Sequence, residues 1–287
     1  MWYLINAIAD KIIPNKEIKT KIRNFIFPKN KIKPMKLGVS YSVWDGEELL
    51  EYSIKSIRNQ CEYINVVWQK KSWFGEPCNE TLEPVLANLK EKGLIDELIL
   101  FVPDTTLSAQ QNELNKRNLG LELVKKAKCS HFLTMDADEF YEEKEFKKAK
   151  DFITKYKITH SICNLYSYSH INCRESHFLQ MFVPFIHKIN KKSKLELDAC
   201  SPCPWVVDPT RQIPLSFFYK ICIMSNIVMH HYSGVRKDIA KKYRNSSATL
   251  DETKQKAFLE WQKEDIYKKI STGKGVWVDN IFNINID

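Results

Sequence analysis

From Lys36 onward the chain alternates short apolar runs rich in β-branched residues with longer segments whose apolar residues recur at helical spacing. That alternation constrains the fold strongly. Each strand's apolar face has to be covered by the helix that follows it, which leads to an α/β layered architecture with a largely parallel sheet. "KLGVSYSV" reads as a first strand and "GEELLEYSIKSIRNQ" as its helix, with Leu49, Leu50, Ile54 and Ile57 on one side. "INVVWQ" is a short buried strand. "ETLEPVLANLKEKG" is a second helix, with Gly93 at its C-terminal cap. "LILFVP" is the third strand. The long helix "SAQQNELNKRNLGLELVKKA" begins at a Ser108 cap, with Gly120 as a weak point inside it. "HFLTMDADEF" is a fourth strand running into an acidic turn.

The second half is less regular. A helix is expected over "EEKEFKKAKDFITKYK", and strands around "HSICNLYSYS", "FLQMFVPFIHKI" and "NIVMHHYS". A loop, "LDACSPCPWVVDPTRQIP", precedes the last of these, and an amphipathic helix covers about residues 251–270. With 287 residues, 44% of them hydrophobic, the chain can bury a sizeable core, and disorder is excluded as its main state. No repeat or low-complexity linker divides it. The expected organisation is a leader over residues 1–35 and a single domain over 36–287, with a ligand-binding half at 36–145 and a second half at 146–287.

The acidic turn carries the clearest chemistry. A hydrophobic strand ending in Asp136, Ala137 and Asp138 puts two carboxylates where the backbone leaves the sheet, the edge at which open α/β sheets bind ligands. Adjacent carboxylates repel unless a cation lies between them, and oxygen ligands suit Mg2+ or Mn2+. Such a metal commonly bridges to substrate phosphates. The plainer alternative is a triplet that simply caps a helix. A second cluster, "IVMHHYSGVRKDIAKKYRNSS", holds adjacent histidines and then a basic stretch. In a strand His230 and His231 face opposite ways, so one at most reaches a shared site. His231 is the candidate third metal ligand and His230 a core residue; Arg236 and Lys237 are candidates to hold a diphosphate.

The order strand, helix, strand, then "KRNLGLELVKKAKCSHFLTMDADEF" resembles glycosyltransferases of the GT-A fold, especially the family 2 type. There an Arg-Asn-x-Gly helix precedes the strand that bears the Asp-x-Asp motif. "SYSVWDGEELLEYSIKSIRNQ" is similar to that family's opening strand and helix. The resemblance implies a GT-A-like, Rossmann-type mixed sheet flanked by helices and a nucleoside-diphosphate sugar donor. By position, Ser42, Val43, Trp44 and Gln69 would line the nucleotide pocket, and Arg117 and Asn118 would touch the nucleotide sugar or, alternatively, brace the acidic turn. Two departures leave the base open. The Pro-x-Tyr-Asn signature is missing after the first strand, and Trp68 and Gln69 stand where an acidic residue is usual. The spacing His231-x-x-Gly234-x-x-Lys237 is also similar to a metal- and diphosphate-binding element of family 8 enzymes.

An inverting transfer to a hydroxyl needs a carboxylate base. Asp208 is the expected residue, with Asp198 and Glu175 as rivals. Tyr166, Tyr168, His170 and His177 are candidates for an acceptor platform. Cys200-x-x-Cys203 has no second pair at zinc spacing and reads as structural. The expected activity is metal-dependent transfer of a sugar to a hydroxyl of a bacterial surface glycan, free or lipid-linked.

The net charge of +9 raises nucleic acid as another partner, but its distribution argues against one. Residues 1–36 hold nine basic residues against two acidic, a net +7 that leaves +2 for the rest. In that leader Trp2, Ile5, Ile12, Ile18, Ile22 and Phe25 fall at helical spacing among lysines, a pattern suited to peripheral contact with an anionic membrane face or to packing on the body. Eight scattered cysteines and no signal-peptide pattern lead to an expectation of reduced thiols in a cytoplasm. A sugar nucleotidylyltransferase, the rival enzyme, would carry a Gly-rich loop after the first strand, which "SYSVWDG" lacks. A non-catalytic polyanion-binding protein is the rival outside enzymes.

Overall fold

The computed structural model describes residues 34–176, 181–197, 199, 208–215, 219–247, 256, 259–260 and 263–286. Four strands come first: β1 (Leu37–Val43), β2 (Tyr63–Trp68), β3 (Glu97–Leu100) and β4 (His131–Asp136). All pair in parallel, in the order β3-β2-β1-β4. A central parallel strand is covered on both faces, and the second face of β1 carries the small residues Gly38, Ser40 and Ser42 where α3 packs closely. On its first face Leu37, Val39, Tyr41 and Val43 are all at most 1% exposed.

The helices α1 (Glu47–Ile57), α2 (Leu82–Glu91) and α3 (Ala109–Lys126) connect these strands. α1 buries Leu49, Leu50, Ile54 and Ile57 completely, the stripe expected from their spacing. α2 ends at Gly93, whose φ of +71° closes the helix as Leu94 N–H donates to the Leu89 carbonyl at 3.0 Å. α3 starts where the Ser108 hydroxyl accepts from the Gln111 N–H at 3.2 Å.

Gly120 is a contact point rather than a weakness. A Cβ there would lie 1.8 Å from Ser40 Oγ, so only glycine lets α3 approach β1 this closely. The Ser40 hydroxyl donates to Asn65 Oδ1 at 2.8 Å, and the Asn65 amide donates back to the Gly120 carbonyl at 3.1 Å. The three residues tie β1, β2 and α3 together at one buried spot.

The chain continues through β5 (Glu139–Phe140), α4 (Glu143–Tyr156), β6 (His160–His170), β7 (Cys173–Glu175), β8 (Met181–Lys188) and β9 (Ile221–His231). It then forms α5 (Ile239–Arg244), α6 (Ile266–Ser271) and β10 (Gly275–Trp277). β8 runs antiparallel between β4 and β6, so strands of both halves belong to one mixed sheet. β9 pairs in parallel with β6 and antiparallel with β5, which brings His231 opposite Glu139.

Three features differ from the sequence expectations. β9 begins at Ile221, ahead of the run "NIVMHHYS". β7 and β10 form a short antiparallel ribbon too brief to show any periodicity. Of the helix expected over about 251–270, α6 covers Ile266–Ser271, and residues 251–255, 257–258 and 261–262 lie outside the described residues. The leader, up to residue 33, also lies outside them. Among the described residues no helix is long and apolar enough to cross a membrane.

Candidate active site

The chain runs β1, β2, β3 outward on one side of β1 and then crosses back to place β4 on the other. The reversal leaves a crevice at the carboxyl ends of β1 and β4, where neighbouring chains diverge. Ser42 and Asp136 are register partners at this point. A cavity of about 370 Å³ opens there.

One wall is aromatic and amide-bearing. Trp44 is 9% exposed and Gln69 is fully buried, and both line the cavity. The Gln69 amide donates to the Lys71 carbonyl at 2.8 Å, which fixes its orientation and leaves Oε1 as a buried acceptor. That oxygen and the Trp44 indole N–H find no partner among the described residues. Buried polar atoms are rarely left so without a ligand or a water to meet them. Trp73 completes this wall, with Lys116 Nζ 5.4 Å from its ring centre and donating to the Val43 carbonyl at 2.9 Å. Burial pushes the Lys116 ammonium down to about 7.

The opposite wall is acidic and held together by two arginines. The Arg117 side chain is fully buried, and its Nη2 donates to Glu113 at 2.6 Å, Asp208 at 3.0 Å and Asp136 at 3.1 Å. Thr134 and Thr210 accept its other N–H groups at 3.0 Å. Arg211 forks onto both Glu139 oxygens at 2.6 and 2.8 Å, and reaches Asp136 and Asp208 at 2.6 Å each. Asp208 opens the 3-10 turn Pro209–Arg211 with an unusual φ of +66°, accepting from the Thr210 N–H at 3.0 Å. Burial alone would raise its carboxyl, but Arg117 and Arg211 hold it well below the usual range. Glu113 and Glu139 move the other way, raised by burial despite the same arginines.

Asp138 is 1% exposed and sits in a cationic cage. Its Oδ2 accepts from Lys242 Nζ at 2.6 Å and from the Arg236 guanidinium at 2.7 and 3.2 Å, while His231 Nε2 lies 3.6 Å from Oδ1. Burial opposes its ionisation, yet Arg236 and Lys242 keep its pKa well below the ordinary value. Arg236 reaches on to Asp45 at 2.9 Å, passing over Gly46 so closely that a Cβ there would fall 2.0 Å from its Nη1.

Ser42, Trp44, Gln69, Asp136, Asp138, Asp208, His231 and Arg236 therefore all line one cavity. Val43 and Arg117 are not among the lining residues: the Val43 carbonyl accepts from Lys116 Nζ and the Gln69 N–H, and Arg117 lies behind the carboxylates that it holds. Asn118 stands apart, both ends of its amide spent on the Leu195 backbone at 2.9 and 3.0 Å. Lys237 lines a neighbouring cleft, its N–H donating to Glu48 at 3.0 Å. His230 is buried, its Nδ1 2.6 Å from the Tyr168 hydroxyl, and Tyr168 stacks on Tyr232 with ring centres 4.1 Å apart. Both belong to the core, so Tyr168 offers no face to an acceptor. Glu175 on β7 is not among the cavity residues. His177, Asp198, Cys200 and Cys203 lie outside the described residues.

A different acidic group from the expected one has metal-binding geometry. Glu113, Asp136 and Asp208 present oxygens within 4.8 Å of one another, a hard-oxygen donor set that suits a divalent cation. Asp138 and His231 fall outside that group; Arg236 and Lys242 hold the Asp138 carboxylate, as Arg117 Nη2 holds one oxygen from each of the three. Sequence reasoning missed Glu113, Lys116, Arg211 and Lys242. The only signal for Glu113 was its i,i+4 relation to Arg117 on a helix leading to the acidic strand.

No family model and no curated protein matches the sequence. Solved structures do show likeness. TarS from S. aureus is 13% identical over 77% of this chain and 41% of its own, with a TM-score of 0.42. TarS 1–349 in complex with UDP-GlcNAc is 14% identical over 66% of this chain and 59% of its own, at 0.37. GalNAc-T7 with UDP, GalNAc and Mn2+ is 11% identical over 84% and 58%, at 0.40. The chain spans 36% to 61% of the solved chains that it matches. Strand order, not this likeness, establishes the fold: a mixed α/β sheet flanked by helices, consistent with the GT-A-like arrangement expected from the sequence.

Proposed function

We propose that this protein transfers a sugar from a nucleoside diphosphate donor to a hydroxyl group of a glycan. One observation carries the reading. A single cavity at the switch point of the sheet joins an unpartnered donor and acceptor between aromatic rings, Trp44 Nε1 and Gln69 Oε1, to a wall of carboxylates and cations. The first wall suits a flat base with both hydrogen-bond polarities. The second suits a diphosphate, with Arg236, Lys242 and Lys116 supplying positive charge. Glu113, Asp136 and Asp208 would hold Mg2+ or Mn2+, which when bound offsets the charge of the diphosphate leaving group. In this reading Asp208 serves the cation rather than the acceptor's proton, because Arg117 and Arg211 hold its carboxyl well below the range in which it would retain one. The basic leader would bring the protein to an anionic membrane face near a lipid-linked acceptor of a bacterial surface glycan.

Thermal unfolding in the presence of UDP, GDP, CDP, ADP and dTDP, each with and without Mg2+ or Mn2+, tests the donor site. At about 100 times its Kd, a bound nucleotide adds roughly 2.7 kcal/mol of stability. The expected result is a shift for one base, reduced in Gln69→Leu, with its metal-dependent part lost in Asp136→Asn. No shift with any nucleotide would sink the proposal.

A further inference from the structure

Another cleft, of about 440 Å³, shares Arg236 with the first cavity. Ser169, His170 and Asn172 line it from the turn between β6 and β7, Gly234 and Arg236 from the segment after β9, and Tyr267 and Trp277 from α6 and β10. Its volume falls in the range of about 300–1,000 Å³ usual for small-molecule clefts. Two large aromatic side chains stand open on it: Tyr267 is 71% exposed and Trp277 52% exposed. Ile171, Val235, Ile266 and Ile286 line the cleft too, so the two open rings sit on a surface that suits a ligand with an apolar face.

The polar lining narrows the chemistry. Its one charged side chain is Arg236, and that guanidinium is already paired with Asp138 at 2.7 Å and Asp45 at 2.9 Å. Arg236 is the cation that the donor reading already assigns to the diphosphate, so this lining offers no further one to a nucleotide or an acidic chain. Hydroxyl-rich uncharged molecules fit better. His170 has its Nδ1 committed to the Ser169 hydroxyl at 3.2 Å, which leaves Nε2 as the ring's other polar atom, and Asn172, whose amide N–H donates to the Val278 carbonyl at 3.0 Å, adds its Oδ1. Flat aromatic faces beside neutral donors and acceptors suit pyranose rings, whose C–H faces pack on aromatics while their hydroxyls hydrogen-bond. Continuity gives the direction: Arg236 lines both clefts and reaches Asp138 in the first.

We infer that this cleft binds a neutral oligosaccharide, stacked on Trp277 and Tyr267, whose end is presented to the cavity at Asp138. The inference deepens the transferase reading and rests on it for the identification of the chain as acceptor. Binding of the full chain to a printed array of neutral and acidic microbial oligosaccharides tests it, with nucleotide thermal shifts measured in parallel. Wild type is expected to retain neutral glycans. Trp277→Ala and Tyr267→Ala should each weaken that retention at least about tenfold, Trp277→Phe should keep most of it, and nucleotide shifts should stay unchanged throughout. Retention of no neutral glycan, or retention indifferent to both alanine variants, would overturn the inference. Ring-dependent glycan retention without any nucleotide shift would overturn the donor reading alone and leave the cleft a glycan-binding site.

Discussion

Arg211 shows how much of the acidic wall depends on one side chain. It is 3% exposed and touches Asp136, Asp208 and Glu139, all within 2.8 Å. Removing one partner of a buried ionic group leaves its companions charged and dry, at a typical cost of about 3–5 kcal/mol. We expect Arg211→Met to lose that much stability, read as a lower urea midpoint at unchanged slope. Arg211→Lys should recover little, since one ammonium cannot reproduce a fork that reaches three carboxylates. The pairings with Glu139 and Asp136 were not visible beforehand, because 72 and 75 residues separate them from Arg211; only that with Asp208 is local. Asp136 and Asp138 were visible, since a hydrophobic strand ending in paired carboxylates is a local signal. Their division of labour was not: Asp136 joins the donor set, and Asp138 is claimed by Arg236 and Lys242.

Among the elements, α3 bears most of the positioning. It carries Glu113, Lys116 and Arg117 into the site and is pinned to the sheet where Gly120 meets Ser40 and Asn65. A methyl group at Gly120 would overlap Ser40 Oγ at 1.8 Å, so the helix or the strand has to shift. Overpacking of this kind costs about 1–3 kcal/mol, which equals or exceeds the helix-propensity gain of about 1 kcal/mol from replacing glycine with alanine. Gly120→Ala should therefore be destabilising by chemical denaturation, although propensity alone forecasts the opposite. The same shift would move Glu113 and Arg117 and should weaken nucleotide binding. At the start of α1, Gly46→Ala should act through Arg236, whose guanidinium occupies the place of the new Cβ. Its expected signature is a reduced nucleotide thermal shift.

For the whole molecule the clearest expectation concerns pH. Burial pushes the imidazoles of His131 and His230 down to about 4 and that of His187 down to about 3. Both His187 nitrogens are buried and find no partner among the described residues, and its ring centre is 5.1 Å from that of His160. As pH falls below about 6.5 the unfolded chain protonates these histidines first, so it binds more protons than the folded one and stability falls. Buried carboxyls such as Glu113 and Glu139, raised by burial, oppose this in acid. We expect urea unfolding to show lower stability at about pH 5.5 than at about pH 7. In His187→Phe the slope should be shallower by up to about one proton, with no loss of stability at neutral pH.

The order of strands and helices through β4, the caps at Ser108 and Gly93, and the acidic end of β4 were determined by the sequence alone. Each rests on periodicity or on chemistry within a few residues of itself, and such local preferences survive in the fold. Tertiary structure decided which charges face which. It turned Asn118 away to clasp Leu195, sent Lys237 to the neighbouring cleft, and sank Tyr168 into the core against Tyr232. It also assembled the acidic wall from α3, β4, β5 and the turn after Asp208, and brought Arg236 to Asp138 across 98 residues of chain. The physical reason is that desolvated charges are stabilised by whatever opposite charge lies within a few ångströms. Chain crossing sets that proximity, and no spacing along the sequence records it.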